Sequence, residues 1–101
     1  MPQGGPRLRA EDNKQNTIGE RVGQRRHEME LTQAILAVSS AFATDGRWNP
    51  TMKEVHRIEA GTRTVLDVEL LALAEALECS TEWLLTGSMT RAASPRSAPE
   101  V

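Results

Sequence analysis

Apolar residues return at intervals of three and four in several short segments of this chain. Each segment is bounded by a capping residue or a helix breaker, and β-type alternation is hard to find. A chain patterned this way buries its apolar faces only by packing helices on one another. Thr17-Ile18-Gly19-Glu20 reads as a capping box, with Ile18 and Val22 one turn apart and Met29 continuing the stripe. Thr32 is a second N-cap, opening a helix from Gln33 that runs to Phe42 or Ala43. Asp45-Gly46-Arg47-Trp48-Asn49-Pro50 interrupts the pattern with several turn formers together. Thr51 then caps a helix, Met52 to Ala60, whose inward pair is Val55 and Ile58 and whose end is set by Gly61. Asp67 to Glu78 places Leu70, Leu71, Leu73, Ala74 and Leu77 on a broad apolar face. Ser80 caps a last short helix containing Trp83, Leu84 and Leu85, stopped by Gly87. The expected fold is all-α, a compact five-helix bundle.

Residues 1–16 carry two prolines and two glycines and are expected to form a flexible N-terminal arm. Residues 88–101, mostly Ser, Ala, Pro and Arg, are expected to form a flexible C-terminal tail, which leaves 17–87 as the folded domain. One cysteine, Cys79, excludes an intrachain disulfide and a Cys-based zinc site within one chain, and fits a small apolar site better than a nucleophile. His27 and His56 show no metal-ligand spacing, and no acid, base and nucleophile assemble into a catalytic cluster. The reading is therefore not an enzyme, with no cofactor and no metal. No apolar run approaches the roughly 18 residues that span a bilayer, and no apolar leader stands at the N-terminus. A reducing cytoplasm and no membrane partner are expected.

The formal charge of −2 conceals an uneven distribution. Residues 17–65 hold seven Arg or Lys against six Asp or Glu, whereas residues 66–87 hold five acids and no base. A surface built from the first three helices can thus be locally positive on a net-acidic chain.

Gly23-Gln24-Arg25-Arg26-His27-Glu28-Met29-Glu30-Leu31-Thr32-Gln33 resembles the end of helix one and the opening of helix two in the phage Cro/C1-repressor (XRE-like) helix-turn-helix family. Val55-His56-Arg57-Ile58-Glu59-Ala60-Gly61 is similar to that family's recognition-helix ending. Leu70 to Leu77, followed by Cys79-Ser80-Thr81-Glu82-Trp83-Leu84-Leu85-Thr86-Gly87, resembles its closing helices. The resemblance spans about Thr17 to Gly87, in the right order. The segment from Ala43 to Pro50 is longer than in the shortest members and similar to a subgroup with a longer helix 2–3 connection. Glu30 and Glu78 stand where the family usually has glycine.

The resemblance implies a lambda-repressor-like DNA-binding domain: a bacterial or phage-encoded transcriptional regulator, and specifically a repressor. It would read the major groove of double-stranded operator DNA with helix 51–60. Thr51, Met52, Lys53, Glu54, His56 and Arg57 are the candidate reading residues, and Gln33 the candidate phosphate contact. By the same resemblance Arg26 and Glu59 form an ion pair tying helix one to helix three. Trp83, Leu84, Leu85 and Met89 would form the seam of a homodimer on a two-fold operator. Arg7, Arg9 and Lys14 are read as a solvated arm or a phosphate or minor-groove contact, and Trp48 as loop packing or a DNA or partner contact. The alternative is a protein-interaction module on the same fold, an antitoxin or adaptor whose ligand is a protein.

Overall fold

Five α-helices and one 3-10 turn make up the computed structural model, which describes residues 8–88 of the chain. They are α1 (Gly19–Glu28), α2 (Gln33–Ala43), α3 (Met52–Ala60), α4 (Asp67–Ala76) and α5 (Thr81–Thr86), preceded by the turn Glu11–Asn13. No strand occurs among the described residues. Met89 and the residues after it lie outside them.

Side-chain caps fix most of the helix starts. Thr32 accepts from the backbone N–H of Ile35, Thr51 from that of Glu54, and Ser80 from that of Trp83. The start of α1 differs from the capping box expected at Thr17. There Asn16 Oδ1 accepts from the N–H groups of Ile18 and Gly19, at 3.1 and 2.8 Å. The same side chain donates through Nδ2 to the carbonyls of Ile58 and Arg63, at 3.0 and 2.8 Å. Asn16 therefore caps α1 and holds the end of α3 against it, so contacts of the folded unit begin ahead of Thr17. Helices α1 and α3 also approach closely at Gly19, where a Cβ would collide with the carbonyl oxygens of Ile58 and Glu59.

The core is a single cluster fed by every helix: Ile18 and Val22, Leu36 and Ala37, Val55 and Ile58, Leu73, Ala74 and Leu77, then Trp83 and Leu84. Packing runs α1 on α3, α2 on both α3 and α4, and α4 on α5. Two details depart from the sequence reading. Leu71, expected on the inward face of α4, points to solvent at 62% exposure. Trp83 and Leu84, expected at a dimer seam, sit in the chain's own core at 6% and 0% exposure. A short closing helix has too little apolar surface to serve both core and seam, and the core takes it. Leu85 remains on the surface.

Candidate nucleic-acid interface

Helix α3 is amphipathic in a way that separates its two duties. Val55 and Ile58 are fully buried, and Met52, Lys53, His56, Arg57 and Ala60 are exposed. Lys53 stands about opposite the buried pair at 100° per residue, and Arg57, one turn on, shares its face. Lys53 and Arg57 are the only charged groups among these exposed residues, and neither joins an ion pair among the described residues.

Glu54, read from the sequence as a base contact, also closes a cap. Its carboxylate accepts from the Thr51 N–H at 3.0 Å while Thr51 Oγ1 accepts from the Glu54 N–H at 3.0 Å. This reciprocal pair closes the first turn of α3. The cap occupies Oε1 and holds the carboxylate at the start of α3, with Oε2 still able to accept. Thr51, for its part, presets the angle at which α3 leaves the preceding loop.

Helix α1 carries the bond that aims α3. Arg26 donates from Nε and Nη2 to the two oxygens of Glu59, at 2.6 and 3.0 Å, and from Nη1 to the carbonyl of Leu31 at 2.8 Å. The guanidinium is held above its ordinary pKa, first by the Glu59 hydrogen bond and then by its charge, against the opposing effect of burial. Gln33 joins the same carboxylate, Nε2 donating to Glu59 Oε1 at 3.0 Å. Gln33 is thus oriented by Glu59, and one N–H of its amide stays available beside the uncapped backbone donors that open α2. The structure brings Arg26, Glu59 and Gln33 into one network at the junction of α1, α2 and α3.

The remaining cations explain why Lys53 and Arg57 stand apart. Arg21 donates to the carbonyls of Leu84 and Leu85 at the end of α5, at 2.8 and 3.0 Å. Arg25 donates to the carbonyl of Leu77 at the end of α4, at 2.8 Å. Both place a positive group at the negative end of a helix. Arg63 grips Glu69 at 2.9 and 3.2 Å and lies over Trp48, 5.9 Å from its ring centroid. Arg47 lines a cleft between the 44–50 insert and α4. Arg47 donates to the carbonyl of Thr44 at the end of α2, at 3.1 Å, so five of the seven basic residues in 17–65 are held by carboxylates or helix ends. Lys53 and Arg57 are left on the outward face of α3.

Trp48 is partly buried against the core, its backbone N–H donating to Thr44 Oγ1 at 2.9 Å. It packs the long loop ahead of α3 and also lines the open cleft between that loop and α4. Asn16 is the residue that sequence reasoning missed. Its signal was its type, since asparagine is among the preferred N-caps and stands one position before the threonine read as the cap.

No protein-family model matches the chain, and no curated protein matches it. Among solved structures it is similar to the P22 c2 repressor protein in complex with synthetic operator 9T in the presence of Tl+. The TM-score is 0.60 at 27% identity, covering 72% of this chain and 98% of that one. The likeness therefore spans nearly the whole of that repressor chain, and not an isolated helix pair.

Proposed function

We propose that this chain, a helix-turn-helix domain of the Cro/C1-repressor type, is a sequence-specific regulator of transcription that acts as a repressor on double-stranded DNA. The observation that carries the reading is the outward face of α3, whose only charges are Lys53 and Arg57. The c2 repressor of like fold is in complex with operator DNA. A helix of this width, anchored by one face and cationic on the other, fits the major groove.

Arg57 and Lys53 lead the contacts with base edges and phosphates, with Met52 and His56 flanking them and Thr51 at the groove entrance. Gln33 and the N–H groups opening α2 take a phosphate and set the register. The action is binding and not catalysis, and it belongs in the cytoplasm of a bacterium or of a phage host. One α3 reads too few base pairs for useful discrimination, so a homodimer on a two-fold operator is the working form. The folded domain spans 17–87 together with the Asn16 cap and Gln15, whose N–H donates to the Gly61 carbonyl at 2.9 Å.

The test begins with selection of bound duplexes from a randomised pool, followed by gel shifts. A Lys53→Ala, Arg57→Ala double variant binds the selected duplex on the order of a hundredfold more weakly than wild type. Equal retention by both proteins refutes the assignment of α3 as the reading helix.

A further inference from the structure

Helix α2 carries no charged residue from Gln33 to Ala43 and is apolar on both sides. Leu36 and Ala37 face the core, while Ile35, Val38 and Phe42 form an opposite stripe at 50%, 59% and 81% exposure. Helix α4, packed on α2, adds Val68 and Leu71 to the exposed apolar set. Beside them lies an open cleft of about 270 Å³, lined by Ala43, Trp48, Val68 and Leu71 together with Arg47 and Glu75. A helix apolar on both faces is ordinarily covered on both, and large exposed apolar surface on a small domain marks an interaction site.

We propose that the outer faces of α2 and α4 are the seam at which two copies of this chain associate by two-fold symmetry, Phe42 of each entering the Trp48 cleft of the other. Charge selects a second copy as the occupant. Arg47 and Glu75 line the same cleft with opposite signs, and neither has an ion-pair partner among the described residues. A two-fold axis sets each Arg47 against the partner's Glu75 twice over, whereas a partner surface of one sign opposes one of them. The absence of charge on α2 removes like-charge repulsion where the helices meet across the axis. The seam first expected on α5 is closed to a partner at Trp83 and Leu84, which fill the core. The need for a second reading head rests on the DNA-binding reading above; the apolar stripe and the charge pair do not.

Sedimentation equilibrium of the full chain without DNA tests the seam. Wild type dimerises at micromolar concentration. Phe42→Glu weakens the dimer on the order of a hundredfold, with a melting curve unchanged at dilutions where both proteins are monomeric, as loss of a central aromatic anchor does. Arg47→Glu and Glu75→Arg each weaken it about tenfold, and the double exchange restores it. This pair carries the test even if Phe42→Glu fails to fold. A chain monomeric at every concentration overturns the proposal, as does a dimer indifferent to Phe42→Glu but broken by Leu85→Glu. Gel shifts run in parallel keep the two readings apart. A dimer with this mutational pattern that retains no DNA leaves the seam standing and removes the DNA reading. DNA retention by a chain lacking this pattern does the reverse.

Discussion

Glu30 and Glu78 hold φ of 60° and 53° at the ends of α1 and α4, where the chain reverses in a left-handed turn. Each position is fixed by backbone bonds on both sides: Glu30 N–H to His27 and Leu31 N–H to Arg26, then Glu78 N–H to Glu75 and Cys79 N–H to Ala74. A side chain in that conformation costs about 1–2 kcal/mol against its own carbonyl oxygen, and glycine avoids the cost. Part of the gain is lost because glycine frees the unfolded chain. Glu30→Gly is therefore expected to stabilise the domain by about 0.5–1 kcal/mol, read as a rise of a few degrees in melting temperature. Glu78→Gly gains less, because Arg25 Nη2 donates to the Glu78 carbonyl and partly fixes that turn already. A fall in melting temperature for Glu30→Gly contradicts the account of strain at that turn.

At the scale of the element, the 44–50 insert and the approach to α4 form one clamp. Trp48 stacks under Arg63, Arg63 grips Glu69, and Glu69 Oε1 accepts from the Leu66 N–H that starts α4. Burial pushes the Glu69 carboxyl up, but the Arg63 hydrogen bonds, the Leu66 N–H and the Arg63 charge outweigh it and leave the pKa below the ordinary glutamate value. A carboxylate lowered on folding contributes stability that is full at neutral pH. That stability is lost as pH falls below the ordinary range and through the lowered folded value. Glu69→Gln is thus expected to cost about 1–3 kcal/mol at pH 7, measured by urea unfolding. The gap to wild type narrows as both are taken into acid, and a gap constant with pH removes the ion pair as its cause.

The same elements show where the sequence was legible. Caps and breakers placed α2, α3 and α5, because Thr32, Thr51, Ser80, Gly61 and Gly87 act locally within one turn. The α3 face was legible too, because Val55 and Ile58 are its only branched aliphatic residues and stand three apart, so the period admits one inward side. In α2 and α4 the apolar residues go nearly all the way round, so periodicity does not say that Leu71 faces out or that Phe42 is left uncovered. The Asn16 cap was hidden for a related reason. Its two donor bonds reach Ile58 and Arg63, over 40 positions away, and no local pattern announces them.

For the whole molecule, placement of charge decides what the total cannot. Residues 66–87 carry five acids without a base and do not contribute a cation to a phosphate backbone. Arg21 and Arg25, which could offset them, are held at the ends of α5 and α4. Attraction to DNA then comes from a small set of groups around α3 and the start of α2, and the salt dependence of binding reports their number. Each phosphate neutralised contributes about 0.9 to the slope of log K against log salt. A protomer with few free cations gives a shallow slope for its class, and single variants divide the duties between Lys53 and Arg57. If Lys53 sits on a phosphate, Lys53→Gln lowers the slope by about 1 and weakens all duplexes alike. If Arg57 reads a guanine edge, Arg57→Gln instead costs about 1–3 kcal/mol on the selected duplex and little on a duplex altered at that base pair. The two variants behaving alike in both slope and base preference contradicts the division of roles on α3. A steep slope unaffected by either places the phosphate contacts elsewhere on the chain.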